Sequence, residues 1–245
     1  MTPEQIERYK RHLLVKEIGG SGQKKLLNSH VMIVGAGALG GMAALSLAAA
    51  GVGRLTIYDD DRVDLSNLQR QIQFTADDVD DTKVGALFRR LSRLNHDVDV
   101  NPVQERWTPE AGFGDADLVL DGSDNFPTRF ALNAATREAN LALVSGAVAG
   151  WTGQTLVVNK PGDAYCPCYQ CFVPSEPPQA GDCNDLGVLG AITQLIASQM
   201  SLAAIRLLLT PDADIFGRLM VFEGLSMQSR VVRLPQDPDC PICKS

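Results

Sequence analysis

The sequence predicts a doubly wound α/β domain, a mostly parallel sheet with helices on both faces, and three observations predict it. Short apolar runs alternate with helical stretches of roughly ten to fifteen residues through the first 160 positions, the texture of strands buried on both faces and joined by crossover helices. A glycine-rich turn, Gly35-Ala36-Gly37-Ala38-Leu39-Gly40, falls between one such strand and one such helix. Beyond Pro161 the texture changes to a stretch rich in Pro, Gly and Cys, followed by a long apolar helix and two strands.

The elements follow in order. Thr2, Pro3 and Gln5 have the spacing of a capping box with proline at the first helical position, so a helix starts at 3. It carries Arg8, Lys10 and Arg11 and is expected to stop before Gly19-Gly20. Residues 31–34 read as a buried strand, and an Ala-rich helix runs from the glycine turn to Gly51. Residues 54–58 form the next strand, ending at Asp59, then a helix spans 83–94 and a strand 98–103. Leu118-Val119-Leu120 is a strand, Pro127 opens a helix to about 139, 141–144 is a strand, and 154–159 alternates like a half-buried strand. A long loop covers 161–185, a helix 187–209, and strands 218–223 and 228–234. The whole reads as a single domain, with residues 1–160 as a nucleotide-binding part and 161–245 as crossover loop, helix, antiparallel strands and tail.

Composition excludes several classes. With 22 Lys and Arg against 29 Asp and Glu, the net charge of −7 disfavours nucleic acid and anionic membranes, which require a surplus of cations. Six cysteines in 245 residues are too few for a disulfide scaffold, and the polar opening MTPEQIERYKRH lacks the apolar core of a signal peptide. The expected location is cytoplasmic, with reduced thiols. The stretch 186–209 approaches membrane-spanning length, but Gln194, Ser198, Gln199, Ser201 and Arg206 interrupt it. It reads as a buried or dimer-facing helix, with no membrane partner.

The glycine turn carries the chemistry. Gly35, Gly37 and Gly40 match GxGxxG in its required strand-turn-helix context. Its first two glycines allow phosphate close to the backbone, and the helix N-terminus offers unpaired amides. Asp59, 19 residues after Gly40 at the end of the next strand, is placed to hold ribose hydroxyls. That pattern alone suggests NAD. The polar segment 59–71 that follows, and Lys83 at a helix start where a cation opposes the dipole unless an anion is near, fit ATP with magnesium better. Asp124 and Asn125 follow the 118–120 strand at the carboxyl edge where open parallel sheets place ligands. The histidines His12, His30 and His96 show no catalytic spacing.

With these residues in place the chain resembles the ThiF/MoeB/HesA family, bacterial relatives of ubiquitin-activating enzymes. The resemblance rests on RYKRHLL at 8–14, GQKKL at 22–26, VMIVGAGALG at 31–40, AGVGRLTIYDDDRVDLSNLQRQ at 50–71, Lys83, LVLDGSDN at 118–125 and CNDLGVLG at 183–190. It implies ATP- and magnesium-dependent adenylation of the C-terminal glycine of a ubiquitin-like sulfur carrier protein with a diglycine tail, for thiamine or molybdenum-cofactor biosynthesis, by a homodimer. It implies nucleotide contacts at Gly35, Gly37, Ala38, Gly40, Asp59, Ser66, Asn67, Leu68, Gln69, Arg70, Lys83, Asp124 and Asn125. Arg11 matches the arginine that the other subunit donates, and Arg70, Lys83 and Asp124 match catalytic positions. The family often has larger residues or glycine at Ala36 and Ala38. Gly122-Ser123 stands where many relatives have Cys-Thr.

Two CxxC pairs, Cys168/Cys171 and Cys240/Cys243, suit one tetrahedral structural zinc, and the family carries the same pairs. Redox motifs or disulfides are the alternative. Cys166 is a spare thiol beside the first pair. Cys183 lies in a polar loop among Asp182 and Asp185, and the resemblance implies a covalent role in some relatives only. With no further domain expected after Ser245, sulfur is expected from a separate donor. Three other functions compete: an NAD(P)-dependent oxidoreductase on the same fold, a zinc-stabilised ATP-binding adaptor without turnover, and an ATP-dependent dehydratase acting on modified tRNA.

Overall fold

Helix α1 (Pro3–Leu13) starts as its sequence dictates, in a computed structural model that describes residues 1–163, 166–176, 187–211 and 214–243. Thr2 Oγ1 accepts from the Gln5 backbone at 3.2 Å, and Gln5 Oε1 accepts in return from the Thr2 backbone at 3.0 Å. The helix ends at Leu13, earlier than the expected boundary, and a second helix, α2 (Gly19–Leu27), follows where none was expected. Its opening, Gly-Gly-Ser-Gly, has poor helix propensity. Tertiary packing overrides it: a Cβ at Gly22 would stand 3.0 Å from Leu209 Cδ2, so glycine allows α2 to lie close to the last long helix.

The sheet contains β1 (His30–Val34), β2 (Arg54–Tyr58), β3 (Asp99–Val103), β4 (Leu118–Asp121), β5 (Ala142–Ala149), β6 (Thr152–Val158), β7 (Arg218–Glu223) and β8 (Gln228–Arg233). Their order is β3-β2-β1-β4-β5-β6-β7-β8. The pairs from β3 to β5 are parallel, and those from β5 to β8 antiparallel. This is the expected mostly parallel, doubly wound sheet with antiparallel C-terminal strands. Two strands run longer than their apolar patterns suggested: β5 continues to Ala149 and β6 begins at Thr152, because they form a hairpin closed through Gly150, whose φ of +55° favours glycine.

Helices α3 (Gly40–Ala50), α4 (Lys83–Leu94), α5 (Phe126–Glu138), the single turn α6 (Tyr169–Phe172) and α7 (Gly190–Leu209) complete the chain. The strand period of two splits the core into layers. Val31, Ile33, Leu118 and Leu120 join the residues of α3, α4 and α7 on one face, while Met32, Val34 and Val119 join Leu132, Trp107 and Tyr169 on the other. By length and composition α7 is apolar enough to cross a membrane. In this fold it lies against β5 and β6: a Cβ on Gly146 would meet Met200 Sδ at 2.3 Å, and one on Gly153 would meet Ile196 Cγ1 at 2.3 Å. The parallel order reverses between β1 and β4, so the crevice for a ligand opens at the carboxyl ends of those two strands.

Candidate active site

The crevice is built from the two loops that leave β1 and β4. Gly35 turns the chain with φ +96°, and a Cβ there would lie 2.7 Å from Gly122 O. A Cβ on Gly122 would in turn stand 2.7 Å from Gly40 N. The loops therefore pack backbone to backbone, which gives Gly122 a physical reason. Buried Gln73 braces the turn, its Nε2 donating to Ala36 O at 3.1 Å and Gly37 O at 2.9 Å.

Gly35, Gly37, Ala38, Asp59, Arg70, Lys83 and Asp124 all line this cleft, together with Asp61, Gln71 and Arg129. Asp59 ties the second strand to the turn: Oδ2 accepts from Ala36 N at 2.7 Å and Oδ1 from Asp61 N at 2.9 Å. Burial pushes its carboxyl above the ordinary carboxylate range, against the Lys83 charge and the two backbone donors, which pull it down. Lys83 is buried at the first turn of α4, where its Nζ meets Asp61 Oδ2 at 2.6 Å. That carboxylate is the anion the unfavourable helix position called for. The carboxyl oxygens of Asp59, Asp60 and Asp61 lie within 4.8 Å of one another, giving this wall of the cleft an acidic flank.

Arg70 reaches the cleft because its loop is pinned from below. Its carbonyl accepts from Gln194 Nε2 at 3.2 Å and Thr193 Oγ1 at 3.4 Å, both on α7, and its Nη1 donates to Ser66 O at 3.1 Å. Ser66 and Asn67 lie in a 3-10 turn (Leu65–Asn67) capped by Asp64. With Leu68 and Gln69 they stand outside the cleft lining, as Gly40 does, behind the turn. Asn125 caps α5, accepting from Thr128 N at 3.0 Å, and lines an adjoining recess that it shares with Asp59, Asp124 and Trp107. Arg11 is exposed on α1 and does not line the cleft of its own chain. Cys183 lies outside the described residues.

Sequence reasoning missed what holds Asp124. The fully buried carboxylate of Asp121 accepts from Ser123 N at 3.0 Å, from Ser123 Oγ at 2.5 Å and from Ser145 Oγ at 2.6 Å. Arg129, also buried, donates through Nη2 to Ser123 O at 2.7 Å and Gly146 O at 3.0 Å. A buried cation beside a buried acid is a signal only in three dimensions. In the sequence Arg129 is simply a polar residue four positions into a helix that carries several others.

Away from the cleft, Cys168, Cys171, Cys240 and Cys243 converge, with all four sulfurs within 4.8 Å of one another. Adjacent Sγ pairs measure 3.5 Å (Cys168–Cys240), 3.6 Å (Cys171–Cys243) and 4.0 Å (Cys168–Cys171). A tetrahedron with metal–sulfur bonds of about 2.3 Å has sulfur–sulfur edges of about 3.8 Å, so these residues fit a four-thiolate metal. Burial raises the Cys168 thiol and pushes Cys171 up to about 11. At Cys240 burial also raises, but backbone donors at Ile242 and Cys243 and the neighbouring thiols prevail and lower it. A cation is what would let all four ionise together. Cys166 is not part of the cluster: its Sγ accepts from Lys160 N at 3.2 Å and faces Pro167 O at 3.5 Å.

A doubly wound sheet that opens at its switch point onto a glycine turn and a strand-end acid is a nucleotide-binding architecture. The ThiF family profile matches residues 9–242, and the chain belongs to that family. It is 40% identical over 245 residues to the SAMP-activating enzyme E1 of Haloferax volcanii, covering 98% of this chain and 89% of that protein. It is 40% identical over 246 residues to the sulfur carrier protein ThiS adenylyltransferase of Escherichia coli, covering 99% of this chain and 97% of the other. Among solved structures, MccB of E. coli superposes with a TM-score of 0.84 at 19% identity, covering 96% of this chain and 74% of that one, a likeness of fold.

Proposed function

We propose that this chain adenylates the C-terminal glycine carboxylate of a small ubiquitin-like sulfur carrier protein, using ATP and releasing pyrophosphate, in thiamine or molybdenum-cofactor biosynthesis. The observation that carries the reading is the cleft at the β1/β4 switch point. There Arg70, Lys83 and Asp124 line one cleft with a glycine turn and the strand-end acid Asp59. The 40% identity to a ThiS adenylyltransferase along almost the whole of both chains supports it.

In the reaction a carboxylate oxygen of the carrier bonds to the α-phosphorus, the bond from that phosphorus to the bridging oxygen breaks, and pyrophosphate leaves with the electron pair. A C-terminal carboxylate is ionised at neutral pH, so no general base is needed. What the transition state requires is positive charge and donors held in place. The amides of the glycine turn and the start of α3 cradle phosphate, with Asp59 accepting from the ribose. Lys83 exchanges Asp61 for phosphate oxygens, while Arg70, with its carbonyl anchored on α7, faces the same oxygens. Asp124 would hold magnesium, which would supply neutralising charge to the polyphosphate. Ser66, Asn67, Leu68 and Gln69 approach the nucleotide from the rim, and Asn125 holds the adjoining loop.

The enzyme acts as a cytoplasmic homodimer in which each protomer contributes Arg11 to its partner's site. Zinc at Cys168, Cys171, Cys240 and Cys243 fastens the C-terminal tail to the chain around residue 168. Carrier-dependent ATP–pyrophosphate exchange, run with thiazole-pathway and molybdopterin-pathway carriers side by side, tests the reading. Arg70→Ala and Asp124→Ala are each expected to lower exchange by at least about a hundredfold, the usual loss on removing one preorganised transition-state contact. Wild-type rates in both variants would overturn the assignment, and exchange absent with every carrier would favour an adaptor, an oxidoreductase or a tRNA-directed enzyme.

A further inference from the structure

Gln71, Gln73 and Gln194 are amides set at or beneath the cleft, and in each the Oε1 atom is enclosed with no donor among the described residues. In the unliganded fold each therefore works through its nitrogen. Gln73 Nε2 holds the carbonyls of Ala36 and Gly37, and Gln194 Nε2 holds that of Arg70. Gln71 Nε2 has no such partner among the described residues, although Gln71 lines the cleft and is only 5% exposed.

That nitrogen is held in a particular place. It lies 3.6 Å from the position that a Cβ on Gly37 would take, so it stands over the second glycine of the turn. The main chain fixes its base: Gln71 N donates to Asn67 O at 2.8 Å, and Phe74 N donates to Gln71 O at 3.0 Å. One residue earlier, Arg70 is anchored on α7. Gly190, at the start of that helix, packs so close that a Cβ on it would lie 2.5 Å from Gln69 O. A buried amide without a partner is a cost to the fold, and native interiors seldom keep one without a use. Glycine turns before a helix admit phosphate, whose ionised oxygens accept hydrogen bonds and offer none.

We propose that Gln71 is a further substrate-binding residue of the cleft, donating through Nε2 to a phosphate oxygen of the nucleotide beside Gly37. It adds a neutral, preorganised donor to the charges of Arg70 and Lys83, and it rests on the reading of the cleft as a nucleotide site. The assignment has a consequence for stability as well as binding. If the amide serves the ligand and not the fold, replacing it with an apolar side chain of similar shape leaves the unliganded protein at least as stable.

The test compares two substitutions of opposite character in the full-length protein. Calorimetric titration with α,β-methylene ATP and magnesium gives the affinity, and thermal unfolding without ligand gives the stability. Gln71→Met keeps the length of the side chain and removes its donor; it is expected to weaken the analogue by about tenfold or more, the loss expected of a hydrogen bond to a charged group. Its thermal midpoint is expected at or above that of wild type. Gln71→Glu places a carboxylate at the same point and is expected to bind at least about tenfold more weakly again, because like charges repel. A ribose hydroxyl or a base amino group would give the reverse order, since both donate to a carboxylate, so an analogue bound more tightly by Gln71→Glu than by Gln71→Met overturns the proposal. So does wild-type affinity in Gln71→Met, whether or not its midpoint falls. In both of those cases wild type still binds the analogue and the nucleotide reading stands. Failure of wild type itself to bind the analogue overturns both.

Discussion

Asp59 illustrates how a residue proposed for binding can carry a cost to the unliganded fold. Its carboxyl is raised by burial, against the Lys83 charge and the Ala36 and Asp61 amides. For an acid raised in the folded state, folding favours the protonated form. The penalty is absent below about pH 4, where both folded and unfolded states carry the proton. It grows as pH rises and is fully present above the raised native value. Asp59→Asn should therefore leave the unliganded protein as stable at pH 7 as wild type, or more so, while ATP affinity falls by about tenfold or more for the lost charged acceptor. Thermal midpoints measured from pH 4 to 8, with calorimetric ATP titration, check both halves. A midpoint several degrees below wild type at pH 7 would show that the carboxylate holds the turn together instead. Lys83 obeys the opposite logic, since its partner Asp61 is already 2.6 Å away and the charge is in place before any ligand arrives.

At the scale of elements, the cysteine cluster is where a small group decides the fate of a large segment. The tail reaches the cluster from an outermost strand, β8, whose residues are all exposed. The measurement is scanning calorimetry of protein with and without a strong chelator, beside metal analysis of the purified chain. Bound zinc is expected at one per chain. Its removal should lower the unfolding midpoint by roughly 2–4 °C for each kcal/mol lost, and proteolysis should cut first near residue 168 and in the tail. An unchanged midpoint after verified metal removal would refute a structural role. The helix α7 is the other decisive element. Its apolar pattern marks it for burial, but its Thr193 and Gln194 side chains, reaching the Arg70 carbonyl, connect the sheet's supporting helix to the Arg70 wall of the cleft.

For the molecule as a whole, the position of Arg11 makes assembly testable. It is exposed and outside its own cleft, and the proposed donation to the partner's site can be separated from a role in its own subunit. Arg11→Ala and Arg70→Ala homodimers are each expected to be nearly inactive. Unfolded together and refolded as an equal mixture, half of the dimers are mixed, and each of those has one site with both arginines. Symmetry then predicts recovery of about a quarter of wild-type exchange activity; no recovery would place Arg11 in its own subunit's chemistry, and an active Arg11→Ala homodimer would place it outside chemistry altogether.

Much of this protein is legible along the chain. The alternation of apolar runs and helices, the glycine turn with Asp59 one strand later, the buried-helix reading of 186–209 and the CxxC pairs are all local or periodic patterns. Local sterics and burial specify them through spacings that survive in one dimension. Tertiary structure alone decided the rest. Helix α2 forms over a glycine-rich segment because Gly22 fits against Leu209. Gly122 is required because two loops meet backbone to backbone, and Asp61 is the partner of Lys83 across 22 residues. Arg129 and Asp121 matter because both are buried and both bind Ser123 beside Asp124, although nothing in their spacing distinguishes them. These contacts join residues far apart in sequence, and their energies arise from excluded water and close packing that only the folded chain creates.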